Sequence, residues 1–131
     1  MAVQMAELLR NAVLDAIETH IGTDALVKIF TGAKPAGLGD ADPAGLLVTI
    51  TCPTDYMGAA ASGAKAKAGT WSALATGAGV AASFRLYTSG SVAKIQGTVG
   101  QGSGDLSLDN TTIAVGQTVT IGTFTFTDGN P

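Results

Sequence analysis

The sequence predicts a mainly β fold, a β-sandwich of jelly-roll type with one amphipathic α-helix at its N-terminus. Apolar residues recur at helical spacing only before Gly22. After Gly22, short apolar and polar alternations return about every eight to twelve residues, and no second helical pattern follows. A chain of 131 residues fits one domain. We expect a single domain over residues 1–131, with the helix at about 4–21 and the sandwich at about 25–128.

The first segment is expected to be helical because its apolar residues return every three or four positions. The stripe consists of Met5, Leu8, Leu9, Ala12, Val13, Ala16, Ile17 and Ile21. Gly22 stands where a glycine commonly ends a helix. The stripe members expected to pack on the sandwich are Leu9, Val13, Ile17 and Ile21. Met5 and Leu8, near the free end of the helix, are candidates for contact with a partner protein.

The first half of the sandwich is predicted from two strand patterns and a loop. A strand is expected over 25–30, and a long loop rich in glycine and proline over 32–45. The next strand alternates, and its inward side is expected to carry Leu46, Val48, Ile50 and Cys52. A weaker pattern at 65–71 fits an edge strand.

The second half is predicted from clearer alternations. Residues 82–87 and 93–99 alternate on both sides of a Ser-Gly-Ser turn, which indicates a β-hairpin. Short strands are expected at 106–108 and 113–115. In the last segment the apolar phase slips by one residue at Gly122, so we expect a bulge or a bend between two sheets there.

The low charge of the chain favours a protein that works in contact with neighbours. Charged residues make up 13% of the chain, about half the usual share. A surface with few ions loses little hydration when it is buried. We therefore expect a homo-oligomer or a larger assembly.

The charge balance excludes a basic nucleic-acid site, because the net charge is −3. Lys65 and Lys67 are spaced to share one face of a strand, as solubilising lysines do at a sheet edge. With Arg85, they are the cationic candidates for a protein contact.

The N-terminal segment does not resemble a signal peptide, because Glu7, Arg10, Asp15 and Glu18 interrupt its apolar residues. No run of about 18 apolar residues occurs, so no membrane span is expected. Synthesis in a cytoplasm is the simplest expectation.

Residues able to perform catalysis are scarce. His20, the one histidine, stands near the helix end, where a protonated imidazole suits the helix dipole. Cys52, the one cysteine, falls on the inward phase of a strand and is expected to be a small buried apolar residue. A nucleophilic pair of these two residues has no supporting local motif. We expect no enzyme activity and no cofactor.

Two pairs of aspartates could in principle bind Ca²⁺ or act as glycosidase carboxylates. They are Asp40 with Asp42 and Asp105 with Asp109. Aspartate beside glycine and proline is more commonly a turn residue, so no metal site is predicted.

The two largest aromatic side chains leave a carbohydrate-binding function open. Trp71 and Tyr56 could stack on a sugar if they lay exposed in one plane. Burial of Trp71 in the core would count against this alternative.

Seven segments form a pattern that spans nearly the whole chain. They are Leu9–Gly22, Lys28–Ala36, Ala68–Trp71, Phe84–Tyr87, Ile95–Thr98, Leu108–Gln117 and Phe124–Asn130. This pattern resembles that of small virion proteins encoded by tailed phages and prophages.

The resemblance implies a capsid cement, or decoration, protein of jelly-roll fold that stabilises the head by bridging major capsid protein subunits. No catalytic residue belongs to the pattern of that family. The expected location is the outside of the capsid in the virion, after synthesis in the host cytoplasm. A homodimer across a two-fold axis is the expected form, and a position in the tail or neck of the virion is the alternative.

Overall fold

A computed structural model describes residues 4–127 and shows a mainly β chain with one N-terminal helix. The elements are α1 (Glu7–Ile21), β1 (Leu26–Phe30), β2 (Leu46–Thr51), β3 (Ala64–Ala66), β4 (Trp71–Leu74), β5 (Gly79–Val80), β6 (Ser83–Tyr87), β7 (Ala93–Gln101), β8 (Leu106–Leu108), β9 (Thr112–Ile113), β10 (Thr118–Ile121) and β11 (Thr125–Thr127). The predicted fold class is confirmed, and the strand arrangement is compatible with a jelly roll. The end of the expected sandwich, residue 128, lies outside the described residues.

The main sheet has the strand order β2-β1-β6-β7-β8. Its centre is the predicted hairpin, in which β6 and β7 pair antiparallel. All five residues of β6 are buried, including Ser83 and Arg85. A strand is buried throughout only when both faces are covered, and the loop over 32–45 hydrogen-bonds to the polar side chains of β6.

Three two-stranded ribbons complete the fold, and they pair β10 with β4, β11 with β3 and β5 with β9. The phase slip at Gly122 is explained by these pairings. Val119 and Ile121 are buried in β10, which pairs with β4. After Gly122 the chain joins a different partner, β3, through β11. The predicted bend between two sheets is therefore confirmed.

The expected inward phase of β2 is wrong at its beginning. Leu46 is exposed, whereas Leu47 and Val48 are both buried. The pairing with β1 passes from Ile29 opposite Val48 to Phe30 opposite Leu46, so Leu47 is an extra residue in the ladder. A bulge of this kind turns the preceding side chain to the other face.

A parallel pair joins β7 to β8 through only four residues, although parallel neighbours usually need a crossover of about a dozen. The Asp105 carboxylate holds this tight return, because it accepts hydrogen bonds from the N–H and hydroxyl groups of Thr98 (2.9 and 3.1 Å). A Cβ at Gly97 would lie 2.7 Å from the Phe84 ring and 2.9 Å from Asp105. Gly104 takes a φ of +81°, which suits glycine.

One cluster of buried apolar side chains extends along the chain from Ile21 to Phe124. At its centre, the ring of Trp71 lies 6.1 Å from that of Tyr56 and 5.8 Å from that of Phe124. No helix within residues 4–127 is both long enough and apolar enough to cross a membrane.

Candidate protein-interaction surface

The helix α1 is attached to the rest of the chain through its polar edge. Asn11 accepts a hydrogen bond from the N–H of Gly63 (3.0 Å), and Asp15 accepts one from the N–H of Ala60 (2.9 Å). Glu18 follows one turn later on the same edge, since residues three and four apart are neighbours on a helix. This edge faces β3 and the segment before it.

Lys65 of β3 completes the attachment. Its ammonium nitrogen lies 2.8 Å from Asp15 Oδ1, 2.9 Å from Glu18 Oε2 and 2.8 Å from the carbonyl oxygen of Gly58. An ammonium group has three N–H donors, so each donor has an acceptor. The side chain is 2% exposed.

The two carboxylates keep this buried lysine charged. Burial alone would lower the pKa of Lys65, but the hydrogen bonds to Asp15 and Glu18 raise it above its ordinary value. The hydrogen bond from Lys65 is also the main reason that the pKa of Asp15 is lowered. The expectation that Lys65 lies on an exposed edge is wrong, and its ammonium group is not presented to a partner.

Arg85 is also occupied inside the chain. It is 2% exposed, and its Nη1 donates to Asp42 Oδ1 and to the carbonyl oxygen of Asp40, both at 3.0 Å. Its Nη2 donates to the carbonyl oxygen of Gly37 (3.2 Å), and its Nε donates to Gln96 Oε1 (3.2 Å). Arg85 therefore holds the 32–45 loop on the main sheet and does not present its guanidinium to a partner, contrary to expectation.

The Tyr87 hydroxyl strengthens the same attachment by donating to Asp42 Oδ1 at 2.6 Å. Burial first, and then this hydrogen bond to a carboxylate, raise the pKa of Tyr87 well above its usual range. Asp42 thus accepts from both Arg85 and Tyr87, and Asp40 accepts from the N–H of Gly37 within a turn. Both aspartates have structural roles.

The third cationic candidate, Lys67, is half-buried. Its ammonium group donates to the carbonyl oxygen of Gly69 (2.7 Å) and lies 5.8 Å from the centre of the Trp71 ring. Of the two apolar candidates, Met5 is half-buried and Leu8 is 82% exposed. Leu8 therefore stays a candidate for a partner contact.

The apolar stripe of α1 faces outward. Leu9 is 52% exposed and Val13 is 46% exposed, whereas Leu14, which lies off the stripe, is 3% exposed. The expectation that Leu9 and Val13 pack on the sandwich is wrong, because the ion pairs of Lys65 turn the opposite edge of the helix inward. The exposed residues between positions 8 and 20 are Leu8, Leu9, Ala12, Val13, Ala16, Thr19 and His20. We call these seven residues, none of which is Asp, Glu, Lys or Arg, the outer face of α1.

An apolar groove borders the outer face. It has a volume of about 540 Å³ and lies between the C-terminal half of α1 and strand β7. Its apolar walls come from Val13, Ala16, Ile17, Ile21 and Ile95, and His20 and Lys94 also line it. Ile21 is buried, and Ile17 is half-buried and packs against the core, both as expected.

The two candidate catalytic residues differ in their exposure to solvent. Cys52 is 2% exposed, and burial raises the pKa of its thiol to about 12. The thiol is therefore protonated at neutral pH. His20 lies on the exposed surface of the helix, and no hydrogen bond joins it to Cys52 in the described part of the chain.

The second predicted pair of aspartates, Asp105 and Asp109, lies at and after the tight return. Asp105 bonds to Thr98 at the tight return, and its predicted partner, Asp109, is exposed just after β8. Within residues 4–127, no group of three or more His, Cys, Asp or Glu side chains is placed to hold a metal ion.

Trp71 and Tyr56 present no ring face to solvent. They are 0% and 1% exposed, and the indole N–H of Trp71 donates to the carbonyl oxygen of Ala68 (3.2 Å). Burial of Trp71 counts against the carbohydrate-binding alternative, because stacking on a sugar needs an accessible ring.

Comparisons of the chain with protein-family models, with curated proteins and with solved structures find no significant match.

Proposed function

We propose that this protein is a structural component of a phage virion, a decoration protein that stabilises the head by binding major capsid protein subunits. One observation carries the part of this proposal that makes the chain a subunit of an assembly: α1 is fixed to the sandwich by its polar edge and turns Leu8, Leu9 and Val13 toward solvent. A helix with its apolar stripe outward is stable in an assembly, where a protein partner removes that stripe from water.

The placement of the cations supports the same function. The charged groups of Lys65 and Arg85 form bonds inside the protein. The surface of the protein therefore carries fewer free cations than the sequence suggests. Binding through such a surface depends on shape, apolar burial and hydrogen bonds more than on ion pairs. The resemblance of the sequence to small phage virion proteins gives the proposal its partner, the major capsid protein.

Co-sedimentation with capsids tests this function. Purified protein is mixed with undecorated capsids of the phage or prophage that encodes it, and the bound fraction is measured at increasing protein concentration. We expect saturable binding. Raising the salt concentration from about 0.05 to 0.5 M shortens the Debye length from roughly 14 to 4 Å, and the affinity should fall by less than about tenfold.

A variant that removes one surface cation tests whether ionic contacts contribute to capsid binding. Lys94→Ala removes a partly exposed cation of β7 and should change capsid affinity by less than about threefold, in line with surface charge pairs of small energy. Absence of binding at saturating protein would contradict the proposed function. Steep release with salt would contradict the proposed mode of binding.

A further inference from the structure

We propose that the outer face of α1 is the contact between two copies of this chain, which pair through antiparallel α1 helices about a two-fold axis near Val13. The inference rests on the proposed function only in treating the chain as an assembly subunit. It names the protein that covers the outer face, and it leaves the capsid contact to the sandwich.

The shape of this region is complementary to itself. The protruding apolar side chains, Leu8 and Leu9, stand on the N-terminal half of α1. The apolar groove, with Ile17 and Ile95 in its walls, lies beside the C-terminal half. A two-fold axis through the middle of the helix brings each half against the other half in the second copy. Leu9 of each copy then enters the groove of the other.

An antiparallel arrangement follows from this distribution. In a parallel pair, the leucines of the two copies would meet each other and both grooves would stay empty. At the centre of the outer face, Ala12 and Ala16 are small, which lets two helices approach to the lower part of the usual range of about 8–10 Å. Leu9, Ala12, Ala16 and Thr19 follow the alternating four- and three-residue spacing with which helices pack along their length.

The charge pattern also favours a second copy as the partner. The outer face contains no Asp, Glu, Lys or Arg, so two copies can meet there without placing like charges together. Antiparallel helices also bring the partly positive N-terminus of one copy near the partly negative C-terminus of the other. Among the described residues, Lys94 is the one Lys or Arg that lines the adjoining groove, so a strongly charged partner would find little complementary charge in this region.

The size of the contact predicts a moderate affinity. A helix of 15 residues is about 22 Å long, and with the flanking groove the pair would bury on the order of 1,000 Å². This area is at the lower end for specific association. We expect a dissociation constant of the order of micromolar.

The mass of the free protein tests the proposal without capsids. Sedimentation equilibrium from about 1 to 500 µM should show a transition from 13.0 kDa to twice that mass. Leu9→Glu and Val13→Glu should each raise the dissociation constant at least 100-fold. The matched control, Leu74→Glu, changes an apolar side chain that is 62% exposed on β4 and should leave the dimer intact.

Crosslinking tests the position of the axis. A residue near a two-fold axis meets its own copy, so Val13→Cys chains should form a disulfide when diamide oxidises the two thiols and is itself reduced to the hydrazine. Leu74→Cys is the control and should stay uncrosslinked, and the native Cys52 is buried. Circular dichroism of each variant checks that α1 is still folded.

Several results would overturn the proposal. One is a wild-type mass of 13.0 kDa at all concentrations, and others are a trimer, or a dimer unaffected by either glutamate variant. If the wild type is monomeric and Leu9→Glu abolishes capsid binding, the outer face contacts the capsid directly; the proposed function would then stand and the helix pairing would fall. A dimer that does not bind capsids would support the helix pairing and contradict the proposed function.

Discussion

The ammonium nitrogen of Lys65 lies 2.8 Å from the Asp15 carboxylate, although the two residues are 50 positions apart in the chain. This contact holds the polar edge of α1 against the sandwich, on the side where Leu14 and Ile21 are also buried. Two carboxylates and a backbone carbonyl surround a buried cation, and the energy of leaving that cation unpaired exceeds the energy of exposing a few apolar side chains. The helix therefore docks with its polar edge inward.

Replacement of Lys65 by methionine should destabilise the protein. The variant leaves Asp15 and Glu18 without their cation, and because both carboxylates keep some exposure, we expect a loss of stability larger than that of the control variant below and smaller than that of a fully buried pair. Lys67→Met is the matched control and should cost under about 1 kcal/mol. Urea unfolding measures both, and equal losses would contradict the attachment described for α1.

The orientation of α1 predicts opposite behaviour for two leucines. Leu14 is buried, so Leu14→Ala should cost about 2–5 kcal/mol. Leu9 is half-exposed, so Leu9→Ala should cost less than about 1 kcal/mol when the chain is monomeric. Thermal unfolding of dilute samples makes the comparison. A larger loss of stability for Leu9→Ala than for Leu14→Ala would contradict the described orientation of the helix.

Arg85 should control the order of the 32–45 loop. Arg85→Met removes the donors to Asp42 and to two loop carbonyls and should cost about 3–5 kcal/mol, as the loss of one partner in a buried network does. Chymotrypsin cleavage at Leu38 should accelerate in this variant. Tyr87→Phe removes one hydrogen bond to Asp42 and should cost about 1–2 kcal/mol. Unchanged cleavage in Arg85→Met would show that the loop is held by other contacts.

Acid should weaken the attachment of α1. The hydrogen bond from Lys65 lowers the pKa of Asp15 below its ordinary value of 3.8. The group therefore stabilises the fold above about pH 4, and this contribution is lost as the pH falls through the lowered folded-state pKa. The difference in unfolding free energy between wild type and Asp15→Asn should be full at pH 6 and should shrink toward pH 2. A constant difference would mean that Asp15 is not ionised in the folded protein.

Alkaline pH should also destabilise the protein, in this case through Cys52. Its pKa is raised from 9.0 to about 12 by burial, so its contribution to stability is complete below pH 9 and is lost as the pH rises from 9 to 12. Stability in that range should fall less steeply in Cys52→Ala. At pH 8, a disulfide reagent should react with Cys52 only after unfolding, and fast reaction with the native protein would contradict its burial.

Much of the fold could be predicted because its strands follow local patterns. The hairpin of β6 and β7, the long loop and the bend at Gly122 each come from alternation and turn residues close together in the chain. The bulge at Leu47 could not be predicted in this way, since it depends on the register between β2 and β1. The parallel return from β7 to β8 likewise depends on the bonds of Asp105, which a local pattern does not reveal.

The candidate surface was predicted only in part. The apolar stripe of α1 is visible in the sequence, but its direction depends on Lys65, whose pattern is that of a solvated lysine. One signal was present: Asn11, Asp15 and Glu18 are spaced by four and three residues, as regularly as the apolar stripe itself. A polar edge so regular on a short helix indicates that the edge has partners. Arg85 gave no such signal, because its partners lie on a loop without periodicity.

The pairing of β3 with β11 has a consequence for how the protein is made. Lys65, the anchor of α1, stands on β3, and the described strand that pairs with β3 is Thr125–Thr127, the last of the eleven. A ribosome releases the helix long before this strand, because the chain emerges from its N-terminal side first. The paired form of β3 on which the helix docks is therefore not available until Thr125–Thr127 has been synthesised. Docking of α1 thus depends on β11, and a product truncated before that strand would lack the outer surface of the folded subunit.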